Sequence, residues 1–181
     1  SFYSASSALT AACFSIGIKK NDIVWTVPNS FVATASCALH FSAKVDFVDI
    51  DKDYKNISIF ELEKKLNKAK KLGKLPKLLI TVHFAGQPPN QKKIRFLSKK
   101  YGFKIIEDAS HSLGAKRHKE PVGSCKWSDI VVSSFHPVKT ITTGEGGVAI
   151  TNKKYIFEKL EIFKNNGIVR NPKMFKNKKE N

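Results

Sequence analysis

Two periods of apolar and polar residues take turns along this chain. Short apolar runs bounded by Pro, Gly, Asn or Asp read as strands over residues 22–27 (ended by Pro28), 44–50, 77–83, 103–108, 128–134 and 147–150. Between them the spacing turns helical over 4–16 (stopped near Gly17), 31–42, 58–72, 90–101 and 153–164. In the third helix Leu62, Leu66 and Ala69 share one face and lysines the other, and Ser58-Ile-Phe-Glu61 fits a capping box. Strands alternating with helices predict an α/β fold whose sheet is mostly parallel, with helices on both faces. Such sheets bind ligands outside the carboxyl ends of their strands, so strand-end residues are the place to look for chemistry.

Composition changes this picture little. The chain has 181 residues, 41% hydrophobic and 26% charged, as a globular protein has. Its formal charge of +17 invites a nucleic-acid or anionic-surface partner. Counting by type weakens that reading: of 32 basic residues only Arg95, Arg117 and Arg170 are Arg, the residue that base edges and phosphates favour. The lysines fall on predicted helix surfaces, and the one true cluster, Lys173, Lys176, Lys178 and Lys179, reads as a solvated run. Cys13, Cys37 and Cys125 form no C-x-x-C pair, which points to a reducing, cytoplasmic setting with the thiols as small buried side chains. The uncharged stretches 1–18 and 23–43 are broken by Ser, Thr and Asn and do not read as membrane spans, and no metal-ligand spacing stands out.

Three places could carry chemistry. The first is the pair Glu107-Asp108, which closes an apolar strand and precedes Ala-Ser-His111; Asp108 there is either a turn carboxylate or a functional one. The second is Lys139, set between Pro137 and a Gly-rich turn, where it is either a solvated loop residue or a reactive amine. The third is Ser6-Ser7 at a helix start, an ordinary cap or a phosphate site. The three together fit a pyridoxal phosphate enzyme, which needs a lysine for the cofactor's aldehyde, a carboxylate to keep the pyridine nitrogen protonated, and a phosphate cup.

The segments Glu107-Asp-Ala-Ser-His-Ser-Leu-Gly-Ala115 and Ser133-Ser-Phe-His-Pro-Val-Lys-Thr-Ile-Thr-Thr-Gly-Glu-Gly-Gly147 resemble the DegT/DnrJ/EryC1/StrS family of sugar-nucleotide aminotransferases. Supporting matches are Ser4-Ala-Ser-Ser-Ala-Leu9, Val27-Pro-Asn-Ser-Phe-Val-Ala-Thr34, Val45-Asp-Phe-Val-Asp-Ile-Asp51 and Val82-His-Phe-Ala-Gly-Gln-Pro88, in the family's order. The resemblance implies the large domain of a fold-type I pyridoxal 5'-phosphate transferase. Lys139 would be the Schiff-base lysine and proton shuttle, its pKa lowered towards neutrality for the purpose, and Asp108 the partner of the pyridinium nitrogen. Phe31 would stack on the ring, Ser6, Ser7 and Ser134 would hold the phosphate, and His111 would lie near the ring hydroxyl. Gln87 is a weaker candidate for cofactor or substrate contact, with a plain loop role as the alternative.

Sugar 3-dehydratases of the same fold carry His in place of this lysine, so the resemblance implies transamination. Glutamate would donate the amino group and a 4-keto-6-deoxy sugar nucleotide would accept it. Ser124-Cys-Lys-Trp-Ser-Asp129 is most similar to the branch of the family serving pseudaminic acid biosynthesis, with aminotransferases for other keto-sugar nucleotides, or an inactive fragment, as alternatives. The active protein would be a homodimer. Residues 1–181 are expected to be a cofactor-binding large domain truncated at its start and lacking the smaller C-terminal domain. Asn166 stands where family members commonly carry His.

Overall fold

The computed structural model describes residues 1–169; the Lys-rich run at 173–179 lies outside the described residues. The first helix, α1 (Ala5–Ile16), begins at Ser4, whose extended backbone and side chain cap it. The Ser4 hydroxyl accepts from the Ser7 N–H while the Ser7 side chain accepts from the Ser4 N–H, a reciprocal cap. Gly17 ends the helix in the left-handed conformation at φ 79°. Small buried residues, Ala8, Ala11 and Ala12, let α1 sit close against the sheet.

The chain continues through β1 (Ile23–Thr26), α2 (Ala33–Leu39), β2 (Lys44–Phe47), α3 (Ile59–Lys71) and β3 (Leu78–Val82). A 3-10 turn at Phe84–Gly86 leads to α4 (Gln91–Tyr101) and β4 (Lys104–Asp108). A two-stranded hairpin, β5 (Lys116–Arg117) with β6 (Glu120–Pro121), precedes β7 (Ile130–Ser134), β8 (Gly147–Ile150) and α5 (Lys154–Lys164). The six long strands form one sheet in the order β2-β1-β3-β4-β7-β8. Every pair is parallel except β7 with β8, which run antiparallel from Ser134 opposite Gly147 to Val131 opposite Ile150.

The expected α/β sandwich is therefore present, with some boundaries moved. The second helix is shorter than 31–42: Phe31 and Val32 lead into it, and Ser42, at φ 54°, lies beyond its end. At α3 only half of the expected capping box forms, the Ser58 hydroxyl accepting from the Glu61 N–H, while the Glu61 carboxylate pairs with Lys64. The hairpin β5–β6 lacks the apolar alternation that would have marked it.

Two cores flank the sheet. One packs α1, α2 and α5 on Leu78, Ile80, Ile106, Ile130 and Val132; the other packs α3 and α4 on Trp25, Leu79 and Ile105. Alternate residues of each strand face opposite sides, which is why Leu78 and Leu79 belong to different cores. Lysines are concentrated on the second side: α3 and α4 carry nine between them, α1 and α2 none. Cys13 and Cys37, far apart in sequence, meet between α1 and α2 as free thiols, Cys13 donating to the Cys37 sulfur at 3.6 Å. Their hydrogen bond and burial push the Cys13 thiol well above its ordinary value. Cys125, buried beside Glu107, is pushed up to about 11.

β2 and β3 lie on opposite sides of β1, so the sheet has a topological switch between β1 and β3. The loops after β1, β3 and β4 open there, at the carboxyl edge.

Candidate active site

That edge holds a cleft of about 910 Å³. Its wall includes Ser6, Phe31, Asp108, His111, Ser134 and Lys139, six of the eight residues singled out from the sequence.

Asp108 ends β4, where the alternation turns its side chain towards α2, away from neighbouring Glu107. It is 6% exposed, and no basic side chain pairs with it among the described residues. Hydroxyls hold it instead. Thr34 donates to Oδ2 at 2.7 Å, and Ser110 donates to Oδ1 from both its hydroxyl (2.6 Å) and its N–H (3.2 Å). Ser30 lies 2.8 Å from the Thr34 hydroxyl and extends the network to the loop after β1. The partners of this buried carboxyl group are thus all neutral donors among the described residues.

Lys139 lies on the loop between β7 and β8, with its N–H donating to the His136 carbonyl at 2.9 Å. Its Nζ is 2.6 Å from His111 Nε2, a hydrogen-bond distance that joins the loop after β4 to the loop after β7. The Gly-rich turn closes this loop: Phe135 N–H donates to the Gly146 carbonyl at 2.9 Å, and Thr142 Oγ1 donates to the Phe135 carbonyl at 2.9 Å.

At the other end of the cleft stands the start of α1. Ala5 and Ser6 line the wall, and their first-turn N–H groups have no hydrogen-bond partner among the described residues. Ser134 faces them from the end of β7; its hydroxyl accepts the His136 N–H at 3.3 Å and keeps its own proton to donate. Gly147 permits this approach, because a Cβ there would come within 2.3 Å of Ser4 and 2.4 Å of the Ala5 nitrogen. Phe31, 72% exposed, overhangs the cleft ahead of α2.

Ser7 and Gln87 are not brought to the cleft wall. Both the N–H and the hydroxyl of Ser7 are engaged with Ser4 in the helix cap, so the unpartnered amides belong to Ala5 and Ser6. Gln87 is exposed and offers its carbonyl to the Asn56 side chain at 3.0 Å. Sequence reasoning passed over Thr34, Ser110 and Ser30. A polar residue within the apolar run Ala33-Thr-Ala-Ser-Cys-Ala-Leu39 was the one available signal for Thr34. Among the described residues no group of three His, Cys, Asp or Glu is placed to hold a metal ion, and no helix is long and apolar enough to cross a membrane.

Known proteins share this arrangement of chain. A UDP-4-amino-4,6-dideoxy-N-acetyl-beta-L-altrosamine transaminase of Campylobacter jejuni is 41% identical over 168 residues, 92% of this chain and 43% of that protein. GDP-perosamine synthase of Escherichia coli O157:H7 is 32% identical over 162 residues, 89% of this chain and 42% of its own. Among solved structures, Helicobacter pylori PseC, an aminotransferase involved in the biosynthesis of pseudoaminic acid, superposes with a TM-score of 0.83 at 32% identity, over 96% of this chain and 45% of that one. The chain thus spans less than half the length of the relatives it matches. The family model matches from residue 1 to residue 180, and the chain belongs to the DegT/DnrJ/EryC1/StrS aminotransferase family.

Proposed function

We propose that this chain is the cofactor-binding part of a pyridoxal 5'-phosphate-dependent aminotransferase that moves an amino group from glutamate to a 4-keto-6-deoxy sugar nucleotide. The observation that carries the reading is a reactive-type amine, Lys139, and a buried carboxyl group held by neutral donors, Asp108, on the walls of one cleft. The residues present fit the group: the cleft wall offers unpartnered amides and hydroxyls for an anion, a carboxylate, a lysine and an aromatic ring. When bound, the cofactor supplies an electron sink for the carbon that loses or gains a proton.

The chain's own residues divide the remaining work. Asp108 would face the pyridine nitrogen, and the Thr34 and Ser110 donors aim its carboxylate. Ser6, the Ala5 and Ser6 amides and Ser134 bind the phosphate, assisted by the positive end of α1. Phe31, exposed on the cleft wall, would pack against the cofactor ring. Lys139, whose Nζ reaches the cleft wall beside His111, would be the amine that holds the cofactor and the base that moves the proton. His111 orients that amine. Ser7 supports the phosphate site indirectly, through the cap that fixes the first turn, and Gln87 contributes through its loop.

The identity to the Campylobacter jejuni transaminase favours a UDP-linked acceptor on the way to pseudaminic acid. The cleft's exposed apolar residues, Phe31 and Val138, suit coverage by a second copy, and we read the full protein as a cytoplasmic homodimer whose remaining residues complete the substrate site. The nine lysines of α3 and α4 lie on helices that do not line the cleft. The test uses the full reading frame with 15N-glutamate and UDP- or GDP-linked 4-keto-6-deoxy sugars. Label in the UDP product is expected; label only in the GDP product overturns the substrate, and none in either overturns the activity.

A further inference from the structure

A polar cluster at the end of β3 has no part in the chemistry above. The His83 side chain is fully buried, with Nδ1 2.7 Å from Ser112 Oγ and Nε2 3.0 Å from Glu107 Oε2; Gln91 Nε2 lies 3.3 Å from the same Nε2. The Ser112 hydroxyl has two acceptors within reach, His83 Nδ1 and the Ala109 carbonyl at 3.2 Å, while Nε2 lies between the Glu107 carboxylate and the Gln91 amide. The connectivity is that of a hydrolytic Ser–His–acid triad, but Ser112 is 1% exposed, beyond the reach of a substrate. The three side chains form a strut, and it braces the loop that carries His111.

The same turn grips His111 a second time. Gly86, at φ +82°, lies so close that a Cβ would stand 2.7 Å from the His111 carbonyl oxygen. Ala85 beside it is also left-handed, at φ 50°. Buried Asn56 pins the turn, accepting the Phe84 N–H at 3.2 Å and donating to the Gln87 carbonyl at 3.0 Å. Backbone and neighbour are thus both held, while the His111 ring reaches Lys139 Nζ at 2.6 Å.

We infer that His83 and Gly86 are positioning residues that set the contact between His111 and Lys139, and through it the proton affinity of the Lys139 amine. The inference rests on reading Lys139 as the amine that holds the cofactor. The titratable groups around that amine are His111 from the loop after β4, His136 and Glu145 from its own loop, and Asp108 from β4. Of these, His111 is the one next to Ser112. Around His83 the ionisable neighbour is Glu107, with Gln91 and Ser112 completing its contacts.

The full chain is compared with His83→Phe, Ser112→Ala, Gly86→Ala and His111→Ala, and with Leu66→Ala as a destabilised control remote from the turn. The first readout is the pH midpoint for borohydride trapping of pyridoxal phosphate on Lys139, located by mass spectrometry. Ser112→Ala removes a single hydroxyl and stands in if His83→Phe fails to fold. We expect Ser112→Ala and Gly86→Ala to move the midpoint in the direction His111→Ala moves it, by about half a pH unit, roughly threefold in proton affinity. Combined with His111→Ala they add nothing further, because they act through it. Leu66→Ala loses stability and keeps the wild-type midpoint. A midpoint unmoved by Ser112→Ala and Gly86→Ala, unmoved by His111→Ala itself, or shifted additively by the pairs, overturns the inference. If the unaltered chain traps no cofactor on Lys139, the functional reading fails. The inference is then decided by NMR titration of the His111 ring in the cofactor-free chain: a change in Ser112→Ala upholds it, and an unchanged curve overturns it.

Discussion

The Thr34 hydroxyl donates a 2.7 Å hydrogen bond to Asp108 Oδ2, tying the first turn of α2 to the end of β4. Both groups are buried, so the bond is made away from competing water and fixes the carboxylate where β1, β3 and β4 open the sheet. Without it one oxygen of Asp108 loses its donor, at a cost of about 1.5–3 kcal/mol for a hydrogen bond to a charged group. Thr34→Val therefore weakens pyridoxal phosphate binding by about tenfold or more, whereas Thr34→Ser retains most of the affinity. Equilibrium titration of both variants checks this; equal affinity for Thr34→Val and the unaltered chain would show that Asp108 is held by Ser110 alone.

Gly147 admits the start of α1 to the phosphate end of the cleft. A methyl group there would overlap the backbone of Ser4 and Ala5, which cannot swing aside as a flexible side chain can. Two backbone hydrogen bonds between Phe2 and Gly147, 2.8 and 2.9 Å, hold the same junction from the other side. Gly147→Ala is expected to destabilise the chain by about 1–3 kcal/mol, as overpacking does, and to weaken binding of inorganic phosphate as well as of the whole cofactor. Chemical denaturation with phosphate titration tests both; lost stability with unchanged phosphate affinity would separate the junction from the anion site.

Asp129, at the foot of β7, predicts how stability follows pH. Its side chain is wholly buried and joins four elements, accepting the Ile105 N–H at 2.8 Å and pairing with Arg95 at 3.4 Å and with Lys153. Burial pushes its carboxyl up, but the Lys153 ammonium, the Ile105 N–H and Arg95 outweigh it and hold the carboxyl below its ordinary value. A carboxyl lowered by folding stabilises the native state above the unfolded-state value, about 3.9, and that stability is lost as pH falls through the lower folded value. Asp129→Asn leaves two cations without their partner and is expected to cost about 3 kcal/mol at pH 7, with a shallower loss of stability on acidification. Urea denaturation between pH 7 and pH 3 measures this, and parallel curves for the two proteins would contradict it.

Much of this arrangement was legible in the sequence. The apolar runs of β1, β3, β4 and β7 announce strands buried on both faces, and their carboxyl ends point to Asp108 and Lys139. What periodicity does not carry is contact between distant segments. Thr34 and Asp108 are 74 positions apart, and Cys13 and Cys37 meet across two helices; such pairs appear only when the sheet order is known. Ser7 illustrates a different limit. A serine three residues into a helix can face a ligand or answer the cap, and the second Ser–Ser hydrogen bond decides for the cap. The antiparallel turn of β8 was hidden for a third reason, since a four-residue apolar run does not reveal its direction.

The most direct test of the central claim is a visible-absorbance titration of the chain and of Lys139→Ala with pyridoxal 5'-phosphate, with and without borohydride. The account predicts a saturable band in the unaltered chain that borohydride converts to a stable adduct on Lys139, and no such band or adduct in Lys139→Ala. An unaltered chain that develops no band, or a Lys139→Ala variant that develops the same band and adduct, would contradict it.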